Sequence, residues 1–104
     1  MALETIIKAL NHEIRRDIIA RLQSGSLNAG ELADAYDVSK PTMSTHFQAL
    51  KDADLITSER DGNTIIYHLN ATVAEEALAN LIGLLGAAKK VALKPKGNPK
   101  GTFK

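Results

Sequence analysis

Apolar positions along this chain recur first with a helical period, then with a strand period, and finally fill a whole segment. Leu3, Ile6, Ile7 and Leu10 fall on one stripe of a helix over residues 2–10. Ile14, Ile18, Ile19 and Leu22 mark a second helix, with Asn11 as its expected cap, Glu13 and Asp17 near its positive end and Gly25 as its stop. Arg15, Arg16 and Arg21 fall on its exposed side. Ser26 and Leu27 read as a very short strand. Asn28 caps a third helix, AGELADAY, with Glu31 at the capping-box position and Leu32 plus Tyr36 or Ala35 turned inward. Asp37 and Val38 form a short turn, leaving about three residues before the cap of the next helix.

The fourth helix carries the most information. Ser39 caps it, Pro41 sits in its first turn, and Met43, Phe47 and Leu50 form its apolar face. The opposite face holds Lys40, Thr42, Ser44, Thr45 and Gln48, with no carboxylate before Asp52. Short hydroxyls, an amide and a cation suit the major groove, where base edges offer donors, acceptors and methyl groups. Two helices joined by so short a turn have helix-turn-helix spacing. Leu55 to Arg60 and Thr64 to Leu69 read as strands around Asp61-Gly62-Asn63, where Gly and Asn accept positive φ. Ile65, Tyr67 and Leu69 alternate with Ile66 and His68, so one face is buried. Asn70 or Thr72 caps a last helix from about Val73 to Val91. The fold class expected is mostly α with a small β-hairpin: four helices, a two-stranded wing and a closing helix.

Charge divides the chain. Residues 1–88 hold 7 Lys/Arg against 12 Asp/Glu, whereas residues 89–104 hold 6 Lys and no acid. The expected domains are therefore 1–92, a single winged helix-turn-helix unit, and 93–104, a basic tail whose Pro and Gly content speaks for disorder. There is no cysteine, which removes disulfides and thiolate metal sites and suits a reducing cytoplasm. No secretory leader is visible, and the apolar stretch Ala77 to Ala88 is too short to span a bilayer. No Gly-rich phosphate loop or Ser-x-Gly elbow appears, so an enzyme is not expected.

Three blocks in order, KALNHEIRRDIIARL, AGELADAYDVSKPTMSTHFQALKDADLI and RDGNTIIYHLN, resemble the ArsR-type winged helix-turn-helix repressors, and among them the SdpR-like autorepressor subgroup. The similarity covers residues 4 to about 85. The resemblance implies a cytoplasmic, homodimeric repressor that binds double-stranded DNA at an imperfect palindrome, with its own promoter as one target. It places Lys40, Thr42, Ser44 and Thr45 against the operator, with Gln48 a turn further along. The family usually has His or Gln near Thr45, so base preference differs here. Arg60 is the expected wing contact to phosphate or minor groove, with Asn63 at the tip, although turn chemistry alone accounts for Gly62 and Asn63. Arg15 and Arg16 match a family pair, of which one contacts phosphate and the other pairs with an acid such as Asp17 or Glu13. His46 reads as a packed or phosphate-contacting histidine.

Metal sensing is common in the family, but its ligands are missing. Residues 31–35 hold no thiol, residues 73–92 hold Glu75 and Glu76 but no histidine, and His12, His46 and His68 are scattered. No metal site and no cofactor are expected, and nothing identifies an effector. The last helix is apolar nearly all round, with a small-residue stripe at Ala79, Gly83 and Gly86 or Ala87. One winged domain covers only part of it. The expected dimer interface joins Leu3, Ile6, Ile7 and Leu10 to Leu78, Leu81, Ile82, Gly83 and Leu85, as the resemblance also implies. Two alternatives stay open: a winged helix used as a protein-interaction module, which the acidic body allows, and a repressor released by a small molecule or metal.

Overall fold

A computed structural model of the chain describes residues 3–90, and the side chains of residues 3–86. The expected basic tail over 93–104 lies outside the described residues, as does Val91. The elements are α1 (Leu3–Leu10), α2 (Glu13–Leu22), β1 (Leu27–Asn28), α3 (Ala29–Asp34), α4 (Lys40–Asp52), β2 (Ile56–Asp61), β3 (Thr64–Leu69) and α5 (Ala71–Lys90). The helical and strand periods in the sequence thus give five helices and a wing. One difference is that the wing has three antiparallel strands, ordered β1–β3–β2, and not two. β1 lies one residue later than expected and pairs Leu27 with Tyr67 and Asn28 with Ile66.

The core is one cluster fed by every element before α5. Ile6 and Ala9 enter from α1, Ile18 and Leu22 from α2, Leu32 from α3, and Met43, Phe47 and Leu50 from α4. Ala53, Leu55, Ile56 and Tyr67 complete it from the wing side. Phe47 stacks on Tyr67 with centroids 4.5 Å apart, locking α4 to the sheet. Leu50 is fully buried, a burial that contributes about 1.5–3 kcal/mol.

Local chemistry sets the ends. His12, not Asn11, caps α2: its Nδ1 accepts the Ile14 N–H at 3.1 Å. Asn11 is used otherwise, its N–H closing the last turn of α1 on the Lys8 carbonyl. Asn28 and Glu31 form the full capping box of α3. That helix stops at Asp34, earlier than expected, because Ala35 and Tyr36 N–H groups take tighter i−3 bonds to Leu32 and Ala33. The link to α4 therefore runs over residues 35–39. Asn70, and not Thr72, caps α5, accepting the Val73 N–H at 3.3 Å.

Two turns place the wing. Asp54 has φ +58 and closes a Schellman motif at the end of α4, with Asp54 N–H on Lys51 O and Leu55 N–H on Leu50 O. Gly62 has φ +67, whereas Asn63 does not share the positive φ, which matches a hairpin with glycine at the first central position.

Candidate nucleic-acid interface

α4 has the two faces its sequence predicts. Met43, His46, Phe47 and Leu50 are buried, while Lys40, Thr42, Ser44, Thr45 and Gln48 are exposed. Ser39 caps the helix through the Thr42 N–H at 3.3 Å, and its hydroxyl donates to Thr42 Oγ1 at 2.9 Å. The Thr42 O–H is thereby left to donate outward. The Thr45 hydroxyl donates back to the Pro41 carbonyl at 3.1 Å, leaving its oxygen as an acceptor. Gln48 Nε2 donates to Asp52 at 2.7 Å, which occupies the helix's first carboxylate and leaves the amide oxygen free. Lys40 and Ser44 rim a hollow of about 290 Å³ against Ala29, Gly30 and Ala33 of α3.

The paired arginines of α2 do different work from that expected of them. Neither meets an acid. Arg16 donates to the Leu10 carbonyl at 2.9 Å, satisfying the C-terminal end of α1. Arg15 Nε donates to Nδ1 of His46 at 3.0 Å, across from α2 to α4. His46 is 4% exposed, and its Nε2 has no partner. Because Nδ1 accepts, the ring is neutral with its proton on Nε2. Burial first, then the neighbouring His12 and the Arg15 charge, lower the His46 pKa. The His12 ring lies against it, centroids 4.3 Å apart.

A second bracket was missed in the sequence. Asp17 accepts from Arg21 Nε at 2.7 Å and from the Tyr36 hydroxyl at 2.5 Å, while the Arg21 guanidinium sits 5.5 Å from the Tyr36 ring centre. The Tyr36 hydroxyl and then Arg21 hold the Asp17 carboxyl below its usual pKa. Burial, and then the bond to Asp17, push Tyr36 up to about 12. This bracket ties α2 to the α3–α4 turn and so fixes the angle at which α4 is presented. The i, i+4 spacing of Asp17 and Arg21 was a readable signal; the arrival of Tyr36 was not.

The wing separates its charges by face. Arg60 pairs with Ile65 and shares the sheet face of Ile56 and Tyr67, the one turned to the helices, but lies past the end of the core and is exposed. Glu59 and Asp61 fall on the other face. There His68 bridges Glu59, at 2.5 Å from Nε2, and the Ser26 hydroxyl on Nδ1. Asn63 is exposed at the tip.

Away from the helix-turn-helix, α5 leaves apolar side chains bare. Val73 and Ala77 pack on the core, but Leu78, Leu81, Ile82, Leu84 and Leu85 are exposed, Ile82 at 61%. Gly83 is exposed beside them. Ile7 of α1 is half exposed. Ile6 corrects the expectation for this surface: at 4% exposure it belongs to the core of its own chain. Leu3, Ile7, Leu10, Leu78 and Leu81 border an apolar hollow of about 230 Å³. Among the described residues, no three His, Cys, Asp or Glu side chains gather as a metal site, and no helix is long and apolar enough to cross a membrane.

Known proteins share this arrangement. A helix-turn-helix domain family matches residues 10–59. The transcriptional repressor SdpR of Bacillus subtilis (strain 168) is 36% identical over 76 residues, 73% of this chain and 84% of that protein. The arsenical resistance operon repressor of Staphylococcus aureus is 37% identical over 79 residues, 76% of each chain. Among solved structures, an ArsR-like transcriptional regulator from Rhodococcus sp. RHA1 matches with a TM-score of 0.69 at 27% identity, covering 89% of this chain and 94% of that one.

Proposed function

The chain belongs to the ArsR family of helix-turn-helix repressors, DNA-binding transcriptional regulators and not enzymes, and from that premise we propose that it acts as a homodimer on an imperfect palindrome, its own promoter among the targets, without a metal-sensing site. The observation that carries this proposal is the front of α4: Lys40, Thr42, Ser44, Thr45 and Gln48 are all exposed, and Asp52, the first acid, is already bonded to Gln48. Such a surface meets base edges without carboxylate repulsion from the phosphates. Arg60 adds a wing contact on the helix side of the sheet, and Asn63 stands at its tip.

The bare leucines of α5 support the dimer, since a contiguous exposed apolar face marks an interaction surface. A Cβ at Gly83 or Gly86 would meet nothing in its own chain, so intrachain packing gives no reason for glycine there. Leu3, Ile7 and Leu10 with Leu78, Leu81, Ile82, Gly83 and Leu85 form the interface we propose. A two-fold dimer then spaces two copies of α4 by about one turn of DNA, roughly 34 Å. The absence of thiols in α3 and of histidine over residues 73–92 supports the lack of a metal site.

A gel-shift comparison of operator and random duplex tests the assignment. Ser44→Ala with Thr45→Ala is expected to cut discrimination by about 10- to 100-fold while sparing random binding, on the scale of 1–3 kcal/mol for base contacts. Arg60→Ala should weaken both duplexes alike. Full sequence preference in the double variant would remove α4 from the recognition role. No preference for any duplex in the parent chain would favour the protein-interaction module.

A further inference from the structure

We propose that the cleft where α1, α2 and α4 meet seats a backbone phosphate of the bound duplex, with Lys8 and Arg15 as its cations and His46 as the residue that positions Arg15. The proposal rests on α4 entering the major groove. The cleft, of about 360 Å³, is lined by Thr5, Lys8, Ala9, Arg15 and Ala49. Two cations, a hydroxyl and two alanines leave space for a tetrahedral anion, and no carboxylate lines it. Ala49 stands two turns from Thr42 on the same stripe of α4, so the cleft borders the flank of the recognition surface.

Arg15 is held in an unusual way. Among the described residues it has no carboxylate partner; its Nε donates instead to the neutral ring of His46 at 3.0 Å. An acid in that place would neutralise the guanidinium. An imidazole fixes its direction and leaves its charge and its Nη donors for an anion. His46 is itself held by burial and by the His12 ring at 4.3 Å, whose Nδ1 is engaged by the Ile14 N–H. The lowered His46 pKa keeps the acceptor unprotonated near neutral pH. His12 and Arg15 are the titratable or charged neighbours that lower it.

The experiment measures log Kobs against log salt for two probes, the duplex selected from a random pool and a random-sequence duplex. Lys8→Gln and Arg15→Gln should each reduce the slope by about one unit on both probes, the loss of one phosphate contact. His46→Leu should match Arg15→Gln and add nothing in the double variant, whereas His46→Asn, which keeps an acceptor near the position of Nδ1, should restore the parent slope. A thermal melt of each variant confirms that it is folded. Unchanged slopes for Lys8→Gln and Arg15→Gln with sequence preference intact would overturn the cleft while leaving α4 in its role. An additive loss in the His46→Leu, Arg15→Gln double variant would overturn positioning. Inorganic phosphate alone, at constant ionic strength, is the remaining arm. Saturable shifts of the Arg15 side-chain NMR signals, with unchanged DNA slopes, would make the cleft a free-anion site and also overturn the proposal.

Discussion

At the scale of the residue, His46 shows how one buried side chain answers to several neighbours. Its pKa is lowered from 6.5 by burial, then by His12, then by Arg15. In the unfolded chain the ring takes up a proton as pH falls past 6.5, while in the folded chain it still resists. The unfolded state therefore binds more protons in that window, and stability falls on acidification. Urea melts at about pH 7 and about pH 5 should give a lower midpoint at the acid value, and His46→Asn should flatten the difference. An equal difference in parent and variant would show that the ring titrates normally. Asp17, whose pKa is also lowered, loses its contribution in the same direction but only as pH falls below 3.8. Tyr36 works at the other end: stability is lost as pH rises from 10 towards about 12. None of this was readable in sequence. His46 could be placed between two faces of its helix, but its partner Arg15 comes from another element 31 positions away.

The recognition helix was legible as an element because its signals are local. Ser39, Pro41 and the Met43, Phe47, Leu50 stripe lie within the helix or beside it. Asn28 and Glu31 announced α3 for the same reason. What the sequence concealed depends on distant partners or on competition between neighbours. β1 exists because β3 offers an edge to Leu27 and Asn28, and His12 displaced the adjacent Asn11 as the cap of α2. The end of α4 gives a test. Asp54 occupies a left-handed position at φ +58, where glycine is freer, and places a negative charge at the negative end of the helix dipole. Asp54→Gly should raise stability by about 0.5 kcal/mol, the relief of strain exceeding the entropic cost of glycine. Differential scanning calorimetry should show a Tm higher by about 2–4 °C. A fall in Tm would mean that the Asp54 side chain stabilises this turn.

The whole molecule joins a surface for DNA to a surface for itself. The body, residues 1–88, has five more acids than bases, so bulk charge does not draw it to DNA. Binding must come from placed groups: the front of α4, Arg60 on the helix side of the wing, and the α1–α2–α4 cleft. The α5 leucines were legible as unpartnered because the helix is apolar on more sides than one domain can cover, and they are exposed in the single chain. The measurement that bears most directly on this picture is selection of bound duplexes from a random pool by the full chain. An inverted repeat is expected, its half-sites centred about 10 base pairs apart, one turn of the helix for two copies of α4. Recovery of a lone half-site, or no enrichment at all, would contradict a two-fold repressor that reads DNA through α4.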